Sequence, residues 1–222
     1  MLITIEEIAR ATGGSVFGHS AGGVTGVSTD SRQVGAGELF VALKGERFDG
    51  HDFIAATATR GVKVFLAASA WLAANAAPAG TTVVAVQDTL RAFGELAAYH
   101  RRRFAIPVAG ITGSNGKTTV KEMLASILTL TGPGLKTAGN LNNLIGLPRM
   151  LLQLNNEHQW AVLEMGMSEP GEIDRLAGMA APQVGVITNA FPAHLASMGS
   201  VEAVAVAKGE LFLRLKAGGC AV

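Results

Sequence analysis

Apolar residues in this chain occur as short uninterrupted runs, separated by longer segments in which they recur every three or four positions. The runs at residues 24–28, 39–43, 62–67 and 82–86 read as buried strands between glycine-rich turns. Thr4 caps a first short helix whose opening turn carries Glu6 and Glu7, and Gly13 with Gly14 ends it. Residues 53–60 and 89–103 read as helices, and in the second Leu90, Phe93, Leu96, Ala97 and His100 share one face. From residue 104 the alternation resumes. An apolar run at 106–111 precedes a helix carrying Val120, Met123, Leu124, Ile127 and Leu128; strands follow at 160–163 and 184–188, with helices near 148–154 and 172–180. The pattern predicts an α/β protein: a small N-terminal α/β domain at 1–88, a connecting helix at 89–103, and a second domain at 104–222. The second domain should be a mostly parallel sheet flanked by helices, with ligands gathering at the carboxyl ends of its strands. Gly218-Gly219 signals a turn, and Cys220-Ala221-Val222 reads as the opening of another strand, so this domain is expected to be incomplete.

Composition narrows the partners. Over 222 residues, 18 Lys and Arg against 17 Asp and Glu leave a formal charge of +1, which argues against a nonspecific nucleic-acid binder. The only basic run, Arg101-Arg102-Arg103, reads as a solvated helix C-terminus. Cys220 is the sole cysteine, so no intrachain disulfide can form. Residues 1–7 lack the basic and then apolar pattern of a secretory signal, and the most apolar stretch, 65–77, is short and interrupted by Ser69 and Asn75. The expectation is a soluble cytoplasmic protein without membrane insertion.

Between the run at 106–111 and the following helix stands Thr112-Gly113-Ser114-Asn115-Gly116-Lys117-Thr118-Thr119. Glycines let a backbone bend around an anion, and the helix beginning near Lys117 adds its positive end. Lys117 would reach terminal phosphates and the Thr118 hydroxyl a magnesium ion, so residues 113–119 predict a nucleoside triphosphate site. The strict G-x-x-x-x-G-K-[ST] pattern is missed, since Ile111 stands five before Gly116. Glu164 follows an apolar strand and would sit at its carboxyl end, a position suited to a metal. His194 should emerge on the same sheet edge, although magnesium prefers oxygen ligands. Lys208, in isolation, reads as a solvated helix residue. Ser31, Arg32, Lys44, Gly45 and Arg47 offer hydroxyl, cationic and glycine positions suited to a substrate phosphate, and Asn140, Asn142 and Asn143 offer amides that could orient a polar ligand.

Taken together and in order, Asp30-Ser31-Arg32, the segment 40–51, the octapeptide with Val120-Lys121-Glu122-Met123, residues 139–148, Glu164-Met165-Gly166-Met167, Ala193-His194-Leu195 and Ala207-Lys208-Gly209-Glu210 resemble the Mur ligases of bacterial cell-wall synthesis. The resemblance runs to residue 222 and is nearest the branch that adds D-alanyl-D-alanine to UDP-N-acetylmuramoyl-tripeptide. It implies an N-terminal domain that binds the UDP end of the substrate through Ser31, Arg32, Lys44, Gly45 and Arg47, and a central ATPase domain. It makes Lys117, Glu164, His194 and Lys208 catalytic, with Mg2+ held by Thr118, Glu164, His194 and, if carbamylated, Lys208. Asn140, Asn142 and Asn143 would position substrate. The implied reaction is ATP-driven formation of an acyl phosphate, then amide formation. The family's C-terminal domain, which closes over ATP, has no counterpart in these 222 residues, so an inactive or weakly active fragment is expected. The alternatives are a noncatalytic nucleotide-sugar or ATP binding module, another member of the family, and a folylpolyglutamate synthetase, which shares the central architecture.

Overall fold

The computed structural model describes residues 2–18, 22–192 and 198–222. The chain divides into two compact units, Met1–Tyr99 and His100–Val222.

In the first unit, β1 (Ile3–Thr4) leads into α1 (Ile5–Thr12), whose start is fixed by a capping box. Thr4 Oγ1 accepts the Glu7 N–H at 3.2 Å while the Glu7 carboxylate accepts the Thr4 N–H at 2.8 Å, satisfying two otherwise unpaired donors. Gly13 ends the helix at φ 66°, a left-handed conformation that glycine adopts without steric cost. The chain continues through β2 (Ser15–Gly18), β3 (Gly23–Val24), β4 (Gly26–Ser28), β5 (Glu38–Val41), α2 (Ile54–Thr59), β6 (Val64–Ala68), α3 (Ser69–Ala74), β7 (Thr82–Val86) and α4 (Thr89–Arg101). The main sheet has the order β2-β7-β6-β5-β4, parallel except for the antiparallel edge strand β2. β2 has no counterpart in the expected elements because all four of its residues are exposed, so no apolar run marks it. Phe40 and Phe65 meet edge to face at 6.3 Å in a core shared with Val34, Ile54, Val62 and Val83. Each such side chain contributes about 1.5–3 kcal/mol on burial.

The second unit runs β8 (Val108–Thr112), α5 (Lys117–Leu128), β9 (Leu135–Lys136), α6 (Gly146–Leu151), β10 (Ala161–Glu164), α7 (Glu172–Ala180), β11 (Val184–Ile187), α8 (Val201–Leu213) and β12 (Cys220–Ala221). Its sheet is wholly parallel in the order β12-β11-β8-β10-β9. β8 lies in the middle and is buried along its whole length, as a strand covered on both faces must be. The chain leaves β8 for β9 on one side of it and later returns to β11 on the other. This reversal opens a crevice at the carboxyl ends, where Thr112 pairs with Ile187 and Glu164 with Ile111.

Two expectations change. Arg101 is not solvated but 3% exposed, donating to the carbonyls of Ala180 (3.0 Å), Phe104 (2.6 Å) and Ile106 (3.1 Å). Its fixed fork of donors satisfies carbonyls at the end of α7 and on the approach to β8, while Arg102 and Arg103 remain exposed. The helix expected at 148–154 begins earlier, at Gly146, because Asn143 Oδ1 accepts the N–H groups of Ile145 (3.1 Å) and Gly146 (2.8 Å).

Candidate functional site

The octapeptide forms the turn between β8 and α5. Gly113 sits at φ 149° with its Cα so close to β11 that a Cβ would lie 1.8 Å from Thr188 Oγ1. Gly116, at φ 81°, immediately precedes the first residue of α5. The loop is tied down by the residues that follow β11. Ser114 N–H donates to the Asn189 carbonyl at 3.1 Å, Asn115 N–H to Asn189 Oδ1 at 3.0 Å, and Asn189 Nδ2 to the Asn115 carbonyl at 3.1 Å. Thr188 Oγ1 donates to the same Asn115 carbonyl at 2.6 Å. Ser114 Oγ adds a bond to the Phe191 carbonyl at 2.8 Å. Lys117 curls back so that Nζ donates to the Gly113 carbonyl at 2.7 Å. Thr112 Oγ1, at the end of β8, is buried without a hydrogen-bond partner among the described residues.

Glu164 ends β10 beside this loop and is 3% exposed. Its Oε2 accepts the Thr118 hydroxyl at 3.0 Å and its Oε1 the Asn142 amide at 2.8 Å, while its own N–H donates to Thr137 Oγ1 at 2.9 Å. Lys121, one turn along α5 from Lys117, is only 2% exposed. Its Nζ donates to the Thr137 carbonyl at 2.9 Å and lies 3.2 Å from Glu122 Oε1 and 3.9 Å from Glu164 Oε2. Sequence reasoning gave Lys121 no role, yet its four-residue spacing from Lys117 and three-residue spacing from Thr118 place all three on adjoining stripes of one helix.

A cavity of about 330 Å³ opens here, lined on one side by Gly113, Ser114, Lys117, Asn142 and Asn143, and closed by Gly166, Met167, Ser168, Glu172 and Lys208. The reading of Lys208 in isolation, as a solvated helix residue, does not hold. α8 buries it to 3% exposure, and its pKa falls to about 8, first because burial penalises the ammonium and then because Lys117 carries like charge. Of the three asparagines, Asn142 and Asn143 line the cavity and the exposed Asn140 does not. Thr119 is exposed on α5. His194 lies outside the described residues. Sequence reasoning gave no role to Glu172 or to Glu210; Glu210 on α8 accepts the N–H groups of Gly171 (2.8 Å) and Asp174 (2.9 Å) and so caps α7 from a distance of many residues.

In the first unit a separate cavity of about 580 Å³ is lined by Lys44, Asp49, His51 and Trp71 on one side and Gln87, Asp88 and Thr89 on the other. His51 is fixed at both ends, its Nδ1 against Asp49 Oδ1 at 2.5 Å and its Nε2 accepting the Ala68 N–H at 2.9 Å. Ser31, Arg32, Gly45 and Arg47 are not among that cavity's lining residues. Arg32 projects into solvent and folds onto Asp30 at 2.8 Å; the Ser31 carbonyl accepts from Arg60; Gly45 donates its N–H to the Phe48 carbonyl at 2.9 Å; Arg47 is exposed.

Known proteins share this sequence and fold. The Mur ligase middle domain matches residues 111–222, half of the chain, and the model described as Mur ligase family, catalytic domain, matches residues 23–101. The chain belongs to the Mur ligase family. This Mur ligase chain is 41% identical over 220 residues to the UDP-N-acetylmuramoyl-tripeptide–D-alanyl-D-alanine ligase of Escherichia coli (strain K12), covering 99% of the chain and 47% of that relative. A crystal structure of MurF from Acinetobacter baumannii superposes with a TM-score of 0.93 at 39% identity, over 100% of this chain and 48% of its own. MurF ligase from Thermotoga maritima, solved in complex with ADP, superposes with a TM-score of 0.80 at 34% identity, over 88% of this chain and 44% of its own. The Mur ligase chain thus spans about half the length of the relatives it matches. No described helix is long and apolar enough to cross a membrane.

Proposed function

We propose that the second unit holds ATP by its phosphates in the 330 Å³ cavity and directs its terminal phosphoryl group to a carboxylate, within a ligase that joins D-alanyl-D-alanine to UDP-N-acetylmuramoyl-tripeptide. The observation that carries this reading is the convergence of the loop 113–119, Lys117 and the buried Lys208 on one cavity beside the Thr118–Glu164 pair. Carboxylate attack on ATP brings two anions together. Lys117 would offset that repulsion at the site of transfer, and the positive end of α5 favours phosphate beside it.

Magnesium fits the residues present. Thr118 and Glu164 supply hard oxygen donors held 3.0 Å apart, and magnesium characteristically takes one or two protein oxygens, completing its shell with water and phosphate. When bound it would supply positive charge to the phosphate oxygens. Asn142 and Lys121 keep the Glu164 carboxylate in place whether or not the ion is there. Lys208 is proposed to be carbamylated, as its family resemblance implies: carbon dioxide adds to the neutral amine, and the depressed pKa of about 8 leaves more of that form at neutral pH. Labelling with 13C-bicarbonate and observing a carbamate resonance that is absent in Lys208→Met would support this.

In the first unit, Ser31, Arg32, Lys44, Gly45 and Arg47 are proposed to meet the UDP end of the substrate, with Lys44 doing so at the mouth of the 580 Å³ cavity. Holding this remote end lets the reacting carboxylate be presented in line with ATP. Asn140, Asn142 and Asn143 are proposed to orient the peptide end. The reading is tested by phosphate release that requires UDP-N-acetylmuramoyl-tripeptide, D-alanyl-D-alanine, ATP and Mg2+ together; release that ignores the tripeptide would contradict it.

A further inference from the structure

Thr112 Oγ1, at the end of β8, is buried and has no hydrogen-bond partner among the described residues, although a buried hydroxyl left unpaired costs about 1–3 kcal/mol. Strand register shows what it faces. Ala109 and Ile111 belong to the core beneath α5, so alternation along β8 sends Gly110 and Thr112 to the opposite face. α8 covers that face: a Cβ built on Gly110 would lie 3.2 Å from Leu211 Cδ1, and one on Gly185, its partner in β11, 3.2 Å from both Leu211 Cγ and Leu215 Cδ2. Because α8 leads from the carboxyl end of β11 back to the start of the parallel strand β12, it runs against the strands. Lys208, three residues before Leu211, therefore stands about 4.5 Å nearer the carboxyl ends, and Thr112, two residues after Gly110, about 6.6 Å nearer. The two occupy one layer between sheet and helix. Lys208 is also buried, and its Nζ has no hydrogen bond or ion pair among the described residues. Two buried polar groups thus share a layer that offers neither of them an acceptor.

We propose that Thr112 is a positioning residue whose hydroxyl donates to a carbamate on Lys208 and holds that modification in place. This rests on the carbamylation of Lys208 proposed above and adds the residue that orients it. The lone pair of the neutral amine attacks the carbon of carbon dioxide, an N–C bond forms, one C=O electron pair moves onto oxygen, and a proton leaves nitrogen for water. The product carries two acceptor oxygens where the lysine ammonium has only donors. One oxygen takes the Thr112 hydrogen, in a charge-assisted bond roughly twice as strong as a neutral one. Carbamylation also turns the like charges of Lys117 and Lys208, which line the same cavity, into opposite ones. Since Thr112 immediately precedes Gly113, the carbamate is held beside the phosphate loop.

The structural alternative is that the Thr112 side chain only fills space beneath α8. Thr112→Val keeps its shape without the hydroxyl, and Thr112→Ser keeps the hydroxyl. The probe is 13C-bicarbonate, titrated into the longest natural polypeptide that contains this chain, with the carbamate resonance and the melting temperature followed in parallel. The unaltered protein should show a resonance that Lys208→Met lacks. Thr112→Val should need about tenfold more bicarbonate for the same intensity, while Thr112→Ser stays within about threefold of the unaltered protein. In buffer freed of carbon dioxide, Thr112→Val should melt no lower than the unaltered protein, because an apolar group replaces an unpaired hydroxyl. Bicarbonate should then raise the melting temperature of the unaltered protein more than that of the valine variant. Undiminished bicarbonate affinity in Thr112→Val, or a lower melting temperature without carbon dioxide, would overturn the assignment. So would a loss of ADP affinity in Thr112→Val without carbon dioxide, which would give the hydroxyl to the nucleotide. Absence of the resonance in the unaltered protein would instead sink the carbamylation reading, and the proposal with it.

Discussion

Three residues show how far residue type alone misleads. Lys208 and Lys121 are lysines on helices, the commonest solvated residue in the commonest setting, yet both are buried against the site. Their burial depends on which helix face meets the sheet, and a single lysine in sequence does not announce that. Gly113 was legible as a loop glycine, whereas its reason lies across the sheet in Thr188, which no local pattern reveals. Lys121→Met should destabilise the protein by about 3 kcal/mol, because it leaves Glu164 buried without its nearby cation. The same change at Lys136, whose pairing with Glu122 is half exposed, should have little effect; urea denaturation of both variants compares them directly. Gly113→Ala forces a Cβ into the Thr188 hydroxyl, so the loop must move. Nucleotide affinity should drop at least tenfold even where the variant remains folded at the assay temperature, and equal affinity would show that the close approach is unimportant.

At the scale of elements, strands and helices buried in continuous runs were readable, and the segments that escaped share a physical cause. β7 and α7 lie where the apolar pattern placed them, at Thr82–Val86 and Glu172–Ala180. β2 is exposed along its length and β9 has two residues, so neither leaves a periodic signature. The loop from Gly113 to Gly116 could be foreseen as a phosphate cradle because strand, glycines, lysine and helix are contiguous. Its tethering by Thr188 and Asn189 could not, since hydrogen bonds between distant segments have no spacing rule. The capping of α7 by Glu210 belongs to the same class. Glu210→Ala removes the acceptor for two N–H groups and should cost about 1–2 kcal/mol, seen as a lower melting temperature with faster exchange of the Gly171 and Asp174 amides. Unchanged exchange at those two amides would remove Glu210 as a cap.

For the molecule as a whole, acid should weaken the fold from a group remote from the cavity. Burial pushes His100 below its ordinary value of 6.5, opposed by its hydrogen bond to the Leu154 carbonyl, and its Nδ1 has no partner among the described residues. The unfolded chain therefore binds a proton that the folded one refuses. Stability rises with pH through the interval between the depressed value and 6.5, and is lost as pH falls from 6.5 toward it. His100→Gln should flatten that part of the profile in urea titrations between pH 5 and 7. The order of elements and the glycine-lysine loop at 112–119 were legible from the sequence as a Mur ligase pattern, and the family models and structural neighbours bear out the family and the fold. The central claim is that the loop 113–119 holds the phosphates of ATP through Lys117. Calorimetric titration of this chain with MgATP tests it most directly: the account predicts one bound nucleotide, and at least a hundredfold weaker binding in Lys117→Ala with an unchanged melting temperature. Failure of the unaltered chain to bind, or undiminished binding by Lys117→Ala, would contradict it.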